Sequence, residues 1–472
     1  MSTTQINKKM VAFIVSLALF MDALDTTIIN TAIPAMSHSL NVNPVDLKIA
    51  LISYLLSLAI FIPISGWIAD KFGIKQVFIL ALGLFTVSSL WCGYAQHLYE
   101  LVIARSIQGL GGSLMLPLGR LIILRTFQRH ELVEAMNAVV MVVSLGLMLG
   151  PLAGGVITDH LSWPWIFWVN IPVGFVAMLM AFNWLKDTAP RKVRAFDTVG
   201  FILFSGGLAA LTFSLSDLSE STANKTTTFF IMAIAILMLI SYFLHSNKQR
   251  HPIINTDLLR IRTFQISIMG NLFARLSFGG VPFLLPLLLQ VGLGYSAQIA
   301  GLLLVPIALG ILLVKSISLR ILRLFGYKRL LLINTILVGF ILWAFRMINI
   351  DSSFYMIASL TFLFGFLISL QYSGMNSLAY AEVPADDLSA ATSIVSTIQQ
   401  LSQSFGVAAC ALLLRYYSPD SHAYNLTPEC FHQVFFALAC LTFLSTFIFV
   451  RLKPNDGHQM LTVPAQERVE IH

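Results

Sequence analysis

The chain has 472 residues, 57% of them hydrophobic and only 11% charged, with a net charge of +7. Soluble domains carry about a quarter of their residues charged, so most of this surface does not face water. That excludes an ordinary soluble enzyme, a disordered chain and a nucleic-acid binder. The four cysteines (Cys92, Cys410, Cys430, Cys440) have no CxxC or metal-ligand spacing, so no metal site is expected.

A helix needs roughly 20 mostly apolar residues to cross the hydrocarbon core. In chain order such stretches cover 10–34, 47–69, 76–96, 99–124, 135–158, 163–185, 197–216, 228–245, 265–290, 298–319, 328–347, 353–378, 388–414 and 430–451, which makes fourteen spans. The first carries Asp22 and Asp25 and lacks an A-x-A cleavage site, so it reads as a retained span and not a signal peptide. With the N-terminus placed inside and the spans alternating, the inside segments hold 22 lysines and arginines, Lys315 and Lys328 among them. The outside keeps four, Lys48, Lys225, Arg346 and Arg415. Cytoplasmic loops retain positive charge, so both termini are expected in the cytoplasm, and the basic balance is a matter of topology.

Phe72-Gly73-Ile74-Lys75 is repeated as Phe325-Gly326-Tyr327-Lys328 at an offset of 253, and Glu131-Leu132 as Asp387-Leu388 at 256. The near-equal offsets predict two six-helix halves with an inserted pair of helices, a plan common among secondary transporters. The expected divisions are 1–185 (first bundle), 186–263 (linker with the two additional helices), 264–451 (second bundle) and 452–472 (cytoplasmic tail). The expected fold is an all-α polytopic membrane protein of fourteen transmembrane helices.

No G-x-x-x-x-G-K-[ST], HExxH or G-x-S-x-G pattern occurs, so neither ATP nor a catalytic centre is in view. The informative residues are ionisable groups at membrane depth. Asp22 and Asp25, three apart, share a helix face. A lone carboxylate at the bilayer centre costs roughly 2.5–3.5 kcal/mol on insertion scales, so it finds a partner or keeps its proton. Arg105, in the fourth span, lies at a depth comparable with Asp25. The pair reads either as a static lock or as a carboxylate that binds and releases a proton, and intramembrane acids favour the second reading. Arg275 is a counter-charge for an anionic substrate or for Asp22, or else it snorkels or bonds to helix carbonyls. Arg120, near a span end, reads as snorkelling. Glu382, Asp386 and Asp387 form an acidic turn, with Asp386 or Asp387 expected to cap the next helix. Gly146, Gly150, Gly154 and Gly155 flank Pro151 in the fifth span, a small-residue pattern that lets helices approach closely, with a proline bend. The phenylalanines and methionines read as packing and lipid-facing filler.

Several segments together resemble the fourteen-helix drug:proton antiporter family of the major facilitator superfamily. They are Leu24-Asp25-Thr26-Thr27-Ile28-Ile29-Asn30-Thr31-Ala32-Ile33-Pro34 in the first span, Gly66-Trp67-Ile68-Ala69-Asp70-Lys71-Phe72-Gly73-Ile74-Lys75 in the 2–3 loop and Arg105-Ser106-Ile107-Gln108-Gly109-Leu110-Gly111-Gly112 in the fourth span. The run Gly146 to Gly155 and the segment Trp163 to Gly174 complete the set. The resemblance implies proton-driven efflux without a cofactor, the proton gradient supplying the energy. It implies that Asp25 and Arg105, with Asp22 beside them, belong to the coupling region. It assigns Gly66, Asp70, Gly73 and Lys75 to a gating loop, and Gly146, Gly150, Pro151, Gly154 and Gly155 to the antiporter motif. Asn30, Gln108, Asn271 and Arg275 are the candidates for a central cavity. The second-half loop departs from the pattern, with Arg320 and Arg323 where an acidic partner to Asp70 would repeat.

The expected partners are a small-molecule substrate, protons and the lipid bilayer of a bacterial inner membrane, with no nucleic acid and a monomeric chain. The competing readings are a dedicated exporter of one metabolite such as a siderophore, a nutrient-importing proton symporter, and a membrane-embedded enzyme. The last would need a polar catalytic loop or metal cluster, and the sequence offers none.

The topology yields a direct test. Single cysteines at Lys192 and Ser219 should be, respectively, protected from and accessible to an impermeant thiol reagent applied outside. Labelling of both would overturn the orientation.

Overall fold

The computed structural model describes residues 8–128, 131–186, 195–218, 224–249, 252–384, 387–418 and 426–457. Those residues form helices joined by short turns, with no strand among them. In order they are α1 (Lys8–Leu40), α2 (Lys48–Phe61), α3 (Ser65–Phe72), α4 (Ile74–Tyr94), α5 (Leu98–Thr126), α6 (Leu132–His160), α7 (Trp165–Trp168) and α8 (Asn170–Trp184). There follow α9 (Thr198–Asp217), α10 (Lys225–Ser246), α11 (Arg262–Phe278), α12 (Val281–Leu287), α13 (Ala297–Phe345), α14 (Phe354–Tyr380), α15 (Leu388–Tyr417) and α16 (Pro428–Val450). Lys192, Ser219, Asp386 and the tail beyond 457 lie outside the described residues.

Among the described residues, twelve stretches are long and apolar enough to cross a membrane, against the fourteen expected. Two causes account for the difference. Spans 298–319 and 328–347 run together as the 49-residue α13, which is broken at Gly326 (φ 69, ψ 166). At 1.5 Å per residue its two segments together hold about 74 Å of helix, enough for two crossings of a hydrocarbon core about 30 Å thick. The other is α15, 30 residues long but interrupted by Thr397, Gln399, Gln400, Ser402, Gln403 and Ser404, which lower its apolarity. Lys315, counted with an inner loop, sits within α13 and donates to Ser144 of α6. Asp387 does occupy the N-cap position of α15 but makes no capping bond with its side chain, so that expectation fails for the described member of the pair.

The outward faces are apolar. On α10, Phe230, Leu237 and Leu244 are more than 60% exposed, which in water would be a large unpaid-for apolar surface and in a bilayer is the lipid contact. Tyr94, Trp165 and Trp168 cluster at one end of the helices, with ring centroids 5.2 and 5.3 Å apart, and Trp67 meets Phe196 at the other, as in interfacial aromatic belts. Helices α1, α2, α4, α5 and α8 share one apolar core. A second, larger core spans α11 to α16 and reaches α1 and the start of α2. Helices α9 and α10 pack at the edge between α2 and α15, through Ala59, Phe204, Leu208, Tyr242 and Leu401.

Both ends of the described chain reach one face of the bundle. Lys8 pairs with Glu131 at 2.6 Å, and Arg262 pairs with Asp456. At this face the ion pairs Lys8–Glu131, Arg125–Asp70 and Arg262–Asp456 each join residues of the same half. A cleft of about 510 Å³ opens here between Gly66, Arg120 and Met136 on one side and Leu388, Thr392 and Ser396 of α15 on the other. The opposite face is tied across the halves. Asp159 of α6 accepts from the backbone N–H groups of Ala297 and Gln298 at 3.3 and 2.8 Å, satisfying free donors in the first turn of α13. Gln290, in the π-helical turn Leu288–Gly292, donates to the Thr31 carbonyl of α1 at 3.0 Å, and Arg415 reaches Asp46 at 3.2 Å.

The paired loop sequences have the same backbone device. Gly73 and Gly326 adopt φ of 90° and 69°, a region L side chains rarely occupy. Nothing lies within 4 Å of a Cβ built on Gly326, so space does not restrict the position and backbone strain alone does. Gly326→Ala should therefore cost about 1–3 kcal/mol, read as a lowered Tm of the detergent-solubilised protein. An unchanged Tm would show that the bend does not need this conformation.

Candidate functional site

Three of the ionisable residues in the spans, Asp22, Asp25 and Arg105, meet where α1, α2, α4, α5 and α8 converge. Asp25 of α1 is fully buried and Arg105 of α5 is 1% exposed. Asp25 Oδ2 accepts from Arg105 Nη1 at 2.5 Å. Its Oδ1 accepts from Gln108 Nε2 and Asn170 Nδ2, each at 2.8 Å. Gln108 is itself fixed: its Oε1 accepts from Arg105 Nη1 at 2.6 Å, and its Nε2 also donates to Ser89 Oγ of α4 at 2.8 Å. The carboxylate thus has a cation and two amide donors, the condition under which a buried charge pair is tolerated.

The guanidinium carbon of Arg105 lies 4.2 Å from the ring centroid of Tyr54 on α2. The Tyr54 hydroxyl donates to Asp22 Oδ1 at 2.5 Å. Asp22 and Asp25 are therefore connected through Tyr54 and Arg105, each with its own partner. This close convergence depends on the glycines of α5. A Cβ on Gly112 would lie 2.8 Å from Asp22 Oδ1 and 3.0 Å from the Tyr54 hydroxyl.

Beside this cluster is a cavity of about 400 Å³ between the two halves. Of the four candidates for its wall, Asn30 and Arg275 line it. Gln108 does not, because it is turned toward Asp25 and Ser89. Asn271 is completely buried and turned back on its own helix, donating to the Ser267 carbonyl at 3.1 Å. Arg275 does not pair with Asp22. Its Nη1 donates to Gln403 Oε1 of α15 at 3.2 Å, and its guanidinium carbon lies 3.9 Å from the Tyr372 ring centroid. Sequence reasoning did not single out Tyr54, Asn170, Tyr372 or Gln403. Asn170 was visible inside the Trp163–Gly174 signature, and Gln400 with Gln403 form a polar face on an otherwise membrane-like helix.

The fifth-span glycines divide between two neighbours. Gly146, Gly150 and Gly154 face α1: a Cβ on Gly150 would lie 1.9 Å from Thr27 Oγ1, and one on Gly154 2.4 Å from the Ile28 carbonyl oxygen. Gly155 faces the other half, where its Cβ would lie 2.3 Å from the Ala297 carbonyl oxygen, and Gly301 of α13 stands equally close to the Pro151 carbonyl oxygen. In the 2–3 loop, Asp70 approaches Arg125 at 3.7 Å with both partly exposed, and Lys75 lies 5.5 Å from the Phe182 ring centroid. Nothing lies within 4 Å of a Cβ on Gly66.

With that geometry in place, known proteins offer a comparison. A family model described as Major Facilitator Superfamily matches residues 15–198 and 267–470. Proteins named for multidrug resistance, MdtD, of Escherichia coli O139:H28 and of Shigella boydii serotype 18 are each 35% identical over 461 residues, covering 97% of both chains. Among solved structures, a D-xylose-proton symporter aligns with TM-score 0.68 and 14% identity over 95% of this chain and 99% of that one. The POT family transporter PepTSo aligns with TM-score 0.70 and 14% identity over 94% and 97%. The xylose transporter XylE of E. coli, in a partially occluded inward open conformation, aligns with TM-score 0.63 and 13% identity over 95% and 98%. At these identities the structural likeness concerns the fold alone.

The two-sided glycine contact predicts a separation of effects. Gly155→Ala, which presses on the opposite half, should impair transport while leaving Tm nearly unchanged. Gly154→Ala, which presses on the α1 backbone, should lower Tm. The same loss of stability in both would show that α6 packs as one rigid unit with no moving face.

Proposed function

This chain belongs to the Major Facilitator Superfamily, and on that footing we propose that it is a proton-coupled secondary exporter of small lipophilic or amphipathic compounds, working by alternating access. The multidrug-resistance name of its relatives and the absence of any nucleotide motif support efflux driven by the proton gradient without a cofactor. The chain has fourteen spans in a bacterial inner membrane, with both termini cytoplasmic, and acts as a monomer. Residues 1–185 and 264–451 are its two bundles, 186–263 its linker with the additional helices, and 452–472 its tail. The gap in the family match between 198 and 267 supports that division, and the 49-residue length of α13 supports the span count. In this orientation the cross-tied face is periplasmic and the cleft beside Arg120 opens to the cytoplasm, an inward-facing state.

The observation that carries the reading is the placement of Asp25. Its carboxylate holds Arg105 at 2.5 Å, and Arg105 also lines the central cavity. A proton on Asp25 removes the charge that holds the guanidinium, so protonation and the cavity wall change together. Conformation is then linked to proton occupancy, as a coupled exchanger requires. Asp22, bonded to Tyr54, tunes this pair, and the gating loop around Gly66, Asp70, Gly73 and Lys75 moves with the cytoplasmic opening.

Asn at position 25 nearly preserves shape but carries no titrating proton. Asp25→Asn leaves the buried Arg105 charge unpaired and is expected to lower Tm while still inserting, and to lose accumulation driven by an imposed pH gradient in proteoliposomes. Asp22→Asn should do less harm. Undiminished gradient-driven flux by Asp25→Asn would leave Asp25 a structural ion-pair residue.

A further inference from the structure

The central cavity is charged unevenly. Two arginines stand in its wall, Arg105 from α5 and Arg275 from α11, and no carboxylate does. The two cations differ in kind. Arg105 is matched by Asp25 behind the wall, and the Asp22 carboxylate is engaged by Tyr54. Arg275 has no carboxylate partner among the described residues. Its contacts are neutral: Gln403 Oε1 at 3.2 Å and the face of Tyr372. Its Nε is buried without a hydrogen-bond partner.

Snorkelling does not explain this arginine. It stands 13 residues beyond Arg262 at the start of α11, about 20 Å along the axis, too far from that end for its side chain to reach the cytoplasmic interface. Nor is it loosely placed. Gln403 also donates to the Gly279 carbonyl, at the break between α11 and α12, so the group that orients the guanidinium is itself anchored to the backbone. A charge at this depth normally faces a partner or a pathway. Here it is oriented, stacked and left uncompensated, facing a cavity whose remaining wall includes Leu51, Leu55, Phe278 and Phe283.

We infer that the cavity seats an amphiphile bearing a carboxylate, with the anionic group on Arg275 and the apolar body against Leu51, Leu55, Phe278 and Phe283. The fork of a guanidinium matches a carboxylate with two parallel hydrogen bonds. A cationic amphiphile would be desolvated against two guanidinium groups with no acid in the wall, and is discriminated against. The inference names the cargo class of the export reading above and rests on it for the word cargo, whereas the seat itself rests on Arg275.

The test is calorimetric binding to the full chain in nanodiscs of zwitterionic lipid, with three probes that share one ring system: 1-naphthylacetate, 1-naphthylacetamide and 2-(1-naphthyl)ethylammonium. The anion should bind about tenfold or more tightly than the amide, and the cation most weakly. Arg275→Gln should bring the anion to the level of the amide and leave the amide unchanged, while Arg275→Lys keeps part of the preference. If Arg275→Gln does not fold, Gln403→Ala should lower anion affinity selectively. A cation that binds as well as the anion, an anion that does not bind, or an anion preference that survives Arg275→Gln would overturn the seat. Displacement of the anion by phosphatidylglycerol at lower concentration than by naphthylacetate itself would assign the seat to a lipid and overturn the cargo class. Gradient-driven flux of the amide in proteoliposomes without anion preference would leave export standing and remove the seat. Anion binding that depends on Arg275 without such flux would keep the seat and remove export.

Discussion

An ionised carboxylate cannot be left alone at the depth of the membrane occupied by Asp25, and much of the first half is arranged around that constraint. Each oxygen is matched, one by Arg105 and the other by Gln108 and Asn170. Those donors come from α5 and α8, with Ser89 of α4 holding Gln108 and the ring of Tyr54 on α2 covering the guanidinium. Removing one partner of such a pair leaves a buried charge, at a cost of about 3–5 kcal/mol. The helix contacts follow from it: α5 approaches α1 and α2 closely enough only because Gly109 and Gly112 have no side chain in the way.

The fold was legible in the sequence because membrane helices announce themselves by length and apolarity, and the constraint is one-dimensional. The places where it blurred are physical. Helix α15 falls below membrane apolarity because its polar face lines the cavity through Gln400 and Gln403. The charged stretch 320–329 read as a connection between two spans, and the backbone does leave the helical region there, at Gly326, while the residues on either side of it stay helical. At the site, Asp25, Arg105 and Arg275 were visible because charge in an apolar span is conspicuous. Tyr54, Asn170, Tyr372 and Gln403 were not, since neutral polar residues are common in spans and only geometry shows what they hold. Gln108 and Asn271 were misplaced for the same reason. One-dimensional depth gives the level of a residue in the membrane and leaves open which way it turns about its helix.

The two faces of the bundle are bonded by interactions of different strength. Within the first half the Asp25–Arg105 pair is buried and multiply bonded. Across the halves, the ties at the face opposite the termini include a partly exposed ion pair (Arg415–Asp46), hydrogen bonds that Asp159 accepts from the backbone of α13, one that Gln290 donates to Thr31, and a His160–Gln298 contact. An exposed pair of this kind contributes about 0–1 kcal/mol, the neutral Gln290 hydrogen bond about 0.5–1.5 kcal/mol, and a hydrogen bond to a carboxylate such as that of Asp159 about 1.5–3 kcal/mol. Among the polar interactions, the most buried therefore lies within the first half, and the more exposed ones join the halves beside the apolar core that both share. That order is what a rocking motion needs, because the bonds that must break are the ones water can replace.

The seams along which the halves meet also differ. Between α6 and α13 the contact is backbone on backbone, with Gly155 against the Ala297 carbonyl and Gly301 against that of Pro151. Side chains add to it toward the two ends of the seam, where Lys315 donates to Ser144 and Asp159 accepts from the backbone of Ala297 and Gln298, and Pro151 supplies a bend between them. Between α2 and α15 the contact is covered by α9 and α10, whose Phe204, Leu208 and Tyr242 pack on Ala59 of one half and Leu401 of the other. A side-chain core of this kind is close-packed and deforms less readily than a smooth glycine face. The inserted pair thus stiffens one seam and leaves the other bare, so relative motion of the halves is easiest about the glycine seam, and the cavity between Arg105 and Arg275 changes width with it.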